Sequence, residues 1–174
     1  MSNEQIKTLN AIRIAIKMEI DGKEYYLKAG QSTGNKAGAR LLRSLSKAED
    51  AHREKFISIY ESIRDKNTWP KVTIRPAGKG LRTIFAEASS NSRQATPPAE
   101  ELDAVKVAMK MENKTLDYYT RQAGKASSET EKNFYNAIAA EEREHHMVLQ
   151  DYYEFLKDPA GWFVKAEHHS LDGG

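Results

Sequence analysis

Residues 15–26 read AIKMEIDGKEYY and residues 108–119 read AMKMENKTLDYY, so one phrase is written twice, 93 residues apart. Whatever the first copy builds, the second builds again, which limits the fold to architectures with two matching halves. The same offset carries Glu49 onto Glu142 and His52 onto His145, and both copies read Glu-x-x-His. Within AEEREHH an acid and an imidazole could be paired in several ways. The repeat selects Glu142 with His145, because the residue after His52 is Arg53. His146 is then a surface neighbour.

Apolar residues recur at helical spacing over four long stretches, about 3–29, 36–65, 98–123 and 129–157. The turn GQSTGN joins the first two, Ser128 with Glu131 forms a capping box at the start of the fourth, and Pro159 follows its end. Residues of about 66–97 differ from the rest. KNTWPKVTIRPAGKG and SSNSRQATPP are rich in helix breakers, with a short helix predicted around Leu81–Ala88 between them. Short turns make antiparallel neighbours, whereas a connection this long can run the length of a bundle and join its halves in parallel. The expected fold is all-α: a four-helix bundle over 1–157, made of two antiparallel hairpins (about 3–65 and 98–157) and a long crossover, with a tail at 158–174. Leu42, Leu45, Phe56, Ile59, Leu149 and Leu156 are expected in its core.

At 174 residues and 39% hydrophobic content the chain can bury one core without covalent help. It has no cysteine, which excludes disulfides, thiolate metal sites, iron–sulfur centres and cysteine nucleophiles, so any metal must be held by oxygen and imidazole nitrogen. The amino terminus has acids and helical periodicity with no long apolar run, and reads as neither a signal peptide nor a membrane span. A cytoplasmic protein is expected. The net charge of +2 is spread among mixed acids and bases, leaving no basic stripe for nucleic acid.

Glu and His at i and i+3 share one helix face, and Glu19 and Glu49 stand at similar heights on either side of the first turn, as Glu112 and Glu142 do around the second. The six side chains Glu19, Glu49, His52, Glu112, Glu142 and His145 therefore converge at mid-height, at positions that periodicity assigns to the core. Each unpaired charge buried there costs several kcal/mol, so the four acids require cations. Two divalent ions balance them, and a mixed oxygen and nitrogen donor set suits iron or manganese, with zinc as a further option.

This pattern resembles the rubrerythrin-like branch of the ferritin-like di-iron carboxylate proteins, and the resemblance covers both hairpins. It implies that Glu49 and Glu142 bridge two irons, that Glu19 and His52 bind mainly one and that Glu112 and His145 bind the other. Tyr26 and Tyr119 resemble that family's tyrosines beside the ligands, although plain core packing explains them nearly as well. The implied activity is reduction of hydrogen peroxide or dioxygen, in which Glu19, Glu49, Glu112, Glu142, Tyr26 and Tyr119 take part. The alternatives are iron capture without turnover and a purely structural staple. Without cysteine there is no rubredoxin domain here, so electrons would come from a separate donor, rubredoxin-like or a reductase. Thr115 stands where that family carries an extra carboxylate, and the tail lacks the amphipathic run of a ferritin cage helix. A homodimer is implied. In the tail, Trp162 and Phe163 are expected to dock on the bundle or a partner subunit, and His168 and His169 to be solvated.

Overall fold

The computed structural model describes residues 2–74, 78–90 and 99–162. Phe163, His168 and His169 lie outside them. The described residues form helices α1 (Asn3–Ser32), α2 (Lys36–Lys66), α3 (Gly78–Ser90), α4 (Ala99–Lys125) and α5 (Glu129–Lys157), with no strand among them. The crossover helix α3 is longer at both ends than the Leu81–Ala88 expected from the apolar pattern. No helix among the described residues is long and apolar enough to cross a membrane.

Side-chain caps set the helix starts. Ser2 accepts the Gln5 N–H at the head of α1, and Asn35 accepts those of Ala37 and Gly38 at the head of α2. At α5, Ser128 accepts from the Glu131 N–H as expected, but the Glu131 carboxylate reaches past Ser128 to the N–H and hydroxyl of Ser127. Helix α2 ends at Asn67, whose φ of 51° is left-handed.

Pairings between helices fix their directions. The Gln5 side chain meets the Ile63 carbonyl, and the Arg13 guanidinium bonds to the Tyr60 hydroxyl, while Ser46 bonds to the Lys23 carbonyl, so α1 and α2 are antiparallel. Thr115 meets Glu142 and Tyr152 meets Glu101, so α4 and α5 are antiparallel. Tyr25 donates to the Ala104 carbonyl at 2.7 Å and Tyr118 to that of Ala11 at 2.9 Å, which makes α1 and α4 antiparallel as well. Helices α2 and α4 therefore run in the same direction, as a crossover spanning the bundle requires. Its early residues Trp69, Val72 and Ile74 pack at one end of the bundle, and Leu81 and Phe85 of α3 pack at the other.

The two halves repeat each other in space as well as in sequence. Tyr25 with Ala104 and Tyr118 with Ala11 are one contact made twice, since each partner lies 93 residues from its counterpart. The apolar core is likewise double. One cluster gathers Leu41, Leu42, Leu45, Val105, Leu149 and Tyr152, and the other Ile12, Phe56, Ile59, Tyr119, Phe134 and Ile138. All of the aliphatic and aromatic residues expected in the core are buried. At Gly38 the α2 backbone passes so close to α5 that a Cβ would lie 1.8 Å from the Tyr152 hydroxyl, which donates to the buried Glu101 carboxylate.

Candidate metal centre

Between the two apolar clusters lies a polar layer. Glu19 of α1, Glu49 and His52 of α2, Glu112 of α4 and Glu142 and His145 of α5 meet there, none more than 3% exposed. Each of the four bundle helices supplies its side chains from a core-facing stripe, and on α2 and α5 the i, i+3 spacing of Glu and His puts both inward. All six residues expected from the repeat are brought together.

They form two overlapping sets. Glu19, Glu49, His52 and Glu142 place one donor atom each within 4.8 Å of one another, and so do Glu49, Glu112, Glu142 and His145. Glu49 and Glu142 belong to both. The His52 Nδ1 stands 3.1 Å from Glu142 and 3.5 Å from Glu19, and the His145 Nδ1 3.0 Å from Glu49 and 3.7 Å from Glu112. The two imidazoles face each other 5.6 Å apart and 16° from parallel. These nitrogen–oxygen approaches are close but not aligned as hydrogen bonds. Glu19 Oε2, Glu49 Oε1, Glu112 Oε2, Glu142 Oε1 and both Nδ1 atoms are buried with no hydrogen-bond partner. Buried polar atoms without partners are uncommon in proteins, and here one from each of the six residues faces a common centre. That donor set fits cations, and the two sets could hold one metal ion each.

Electrostatics agree. Burial, and then the neighbouring Glu142, Glu19 and Glu112 charges, push the Glu49 carboxyl well above the usual carboxylate range. Burial and the Glu112 charge also raise Glu142, against the opposing pull of both histidines. Burial alone would lower His52, but the Glu142 and Glu19 carboxylates outweigh it and hold the imidazole up to about 10. His145 is held up to about 9, its burial outweighed by Glu112, Glu142 and Glu19. In the absence of a cation, protons have to neutralise the layer.

Tyr26 and Tyr119 lie against the ligands, in a crosswise arrangement that their positions along α1 and α4 do not reveal. Tyr26 of α1 donates to Glu112 Oε1 of α4, and Tyr119 of α4 donates to Glu19 Oε1 of α1. Burial and then the adjoining carboxylate raise both phenols well above their ordinary value, so they remain proton donors.

One feature breaks the symmetry at the layer itself. Thr115 donates to Glu142 Oε2 at 3.0 Å, while the equivalent place beside Glu49 is Gly22, which offers no side chain. Reading the repeat for its differences as well as its matches would have exposed this pair. His146 is half-buried rather than a plain surface group, with its Nδ1 3.2 Å from the Met109 carbonyl and outside both ligand sets. Trp162 packs on Phe85 and Phe155 of the bundle.

Comparison of the chain with family models, curated proteins and solved structures gives no match.

Proposed function

We propose that the chain is a ferritin-like protein of the rubrerythrin type, which binds two iron ions between its helices and reduces hydrogen peroxide or dioxygen with electrons from a separate donor. The observation that carries this reading is the pair of overlapping ligand sets sharing Glu49 and Glu142 in a fully buried layer. One Glu from each of two helices plus Glu-x-x-His from each of the other two is the donor pattern of di-metal carboxylate bundles. The antiparallel hairpins and the crossover that makes α2 and α4 parallel also support it.

On this reading Glu49 and Glu142 would serve both metal positions, with Glu19 and His52 completing one set of donors and Glu112 and His145 the other. Bound iron would supply the electrons and the Lewis acidity for cleaving the oxygen–oxygen bond. The rest is the work of the chain. Four carboxylates balance two divalent charges, so both imidazoles serve as neutral donors through Nδ1. The phenols of Tyr26 and Tyr119 each hold one oxygen of Glu112 and Glu19 and leave the other oxygen free to ligate. Reduction of one peroxide to two waters takes up two electrons and two protons. Glu19 and Glu112, each touching a phenol, are the carboxylates placed to pass those protons. The apolar clusters above and below keep bulk water out.

The test is anaerobic titration with ferrous iron followed by peroxide. Saturation at two irons per chain, fast oxidation with unchanged metal content, and turnover on adding a reductant are expected. Accumulation of further iron without turnover would replace this reading with iron capture, and no redox response would leave only a structural metal.

A further inference from the structure

We propose that Trp69, Tyr135 and Tyr119 form a conduit for single electrons between the protein surface and the metal layer, an inference that rests on the redox reading above. The Tyr119 hydroxyl bonds to Glu19. Its ring lies 6.2 Å from that of Tyr135 and 27° from parallel, and Tyr135 lies 5.8 Å from Trp69. Phe56 and Phe134 close the sides of this path: Phe56 is 5.4 Å from Tyr119, and Phe134 is 5.9 Å from Trp69. Trp69 is half-buried and borders an open groove of about 410 Å³ together with Ser2, Gln5, Asn67 and Ser128. The rings thus run from a metal ligand to solvent without an aliphatic break.

The other half of the molecule serves as an internal comparison. Tyr119 repeats Tyr26, and Trp162 repeats Trp69 at the same offset of 93 residues. The residues between them do not repeat: Leu42 stands in the place of Tyr135, Leu41 in that of Phe134 and Leu149 in that of Phe56. In that half Trp162 meets Phe85 and Phe155, and Phe85 meets Tyr152, but among the described residues no ring contact joins this group to Tyr26, so continuity from the layer to a tryptophan belongs to one half, and helical packing alone does not demand it, since leucines fill the equivalent space.

Hydrogen bonding assigns the parts. A phenol gives up an electron readily only if its proton has somewhere to go, and Glu19 Oε1 receives that of Tyr119. The buried hydroxyl of Tyr135 has no partner. Its ring therefore links its neighbours electronically without holding a charge of its own. A one-electron oxidant takes an electron from the Trp69 indole, the indole radical cation takes one from Tyr119, and the Tyr119 proton passes to Glu19. A closed-shell indole, a neutral tyrosyl radical and a protonated carboxyl result. In the working protein an electron missing at the layer is replaced from Tyr119 and then Trp69, and a one-electron reductant in solution restores Trp69.

Flash–quench oxidation with a ruthenium polypyridyl tests this in the full-length Trp162→Phe chain, with and without redox-inert zinc, so that no iron chemistry enters. The tryptophanyl band should decay as a tyrosyl band grows. Tyr119→Phe and Tyr135→Leu should each lose that growth, whereas Tyr135→Phe should retain it. Tyrosyl growth unchanged in Tyr119→Phe or in Tyr135→Leu would overturn the proposal, as would its loss in Tyr135→Phe. Iron stoichiometry and peroxide turnover are measured separately, so the metal reading can stand or fall without the conduit.

Discussion

Raising the pH from 7 to 8.5 should destabilise the metal-free protein and leave the metal-loaded protein unaffected or more stable. His52 and His145 are held up to about 10 and about 9 from an ordinary 6.5. Across that window the folded chain therefore keeps protons that the unfolded chain has released. The stabilisation from each imidazolium is complete below pH 6.5 and is lost as the pH rises through the folded value. Glu49, whose carboxyl is also raised, acts in the same direction, because the folded state prefers its protonated form. One extra proton held by the native state corresponds to a slope of about −1.4 kcal/mol per pH unit. Two imidazoles give a ceiling of roughly 4 kcal/mol over the window, and water entering the layer reduces it to about 2 kcal/mol. For a domain of this size that is a fall in Tm of about 4–8 °C. With cations bound, the ligands are already deprotonated and rising pH favours the bound state, so the slope flattens or reverses. Thermal melts of chelator-treated and metal-loaded protein at both pH values measure the two slopes. A metal-free Tm that is flat or rises from pH 7 to 8.5 would refute the claim that protons replace cations in the layer.

Metal removal at pH 7 should itself lower the Tm: a ligand at a hundred times its Kd adds about 2.7 kcal/mol, or roughly 5–11 °C here, and an unchanged melt after chelation would count against a core site. Thr115→Val keeps the shape but removes the hydrogen bond to Glu142, and should weaken metal affinity by about tenfold or more in competition with a chromophoric chelator. Equal affinity would show that Glu142 needs no such support. Gly38→Ala should cost about 2 kcal/mol in chemical denaturation, because the new methyl displaces the Tyr152 hydroxyl from Glu101. A loss under about 0.5 kcal/mol would mean that α2 and α5 part easily there.

The buried cluster of six was legible because it is written at fixed helical spacing in a chain that repeats itself. Glu142 and His145 could be chosen over Glu141 and His146 only because Glu49 and His52 stand 93 residues earlier. The crosswise tyrosines were not legible in detail. Spacing places Tyr26 two turns from Glu19 on its own helix, but which carboxylate it reaches depends on how α1 and α4 lie side by side. Thr115 stands out in the sequence as a departure from the pattern of the family the chain resembles, but its bond to Glu142 depends on the height of α5 against α4. Ser128 caps Glu131 as the capping box predicts, and the return bond of Glu131 falls on Ser127 because its reach depends on the path of the turn before Ser128. The aromatic path was partly readable, since Trp69 and Trp162 share the offset, but the adjacency of Trp69 and Tyr135 arises from the fold of the crossover.

Fusing two copies of a hairpin into one chain has a consequence for what selection can reach. Were the bundle assembled from two separate identical hairpins, each substitution would appear on both sides of the axis, and the two ion positions would be chemically alike. In one continuous polypeptide the sides are free to diverge. A hydroxyl can steady one of the two shared acids while a bare backbone leaves its twin unclamped, and rings can line one flank while leucines line the other. Tandem doubling thus keeps the matched charges of a symmetric cradle and allows its two sets of donors to become unequal.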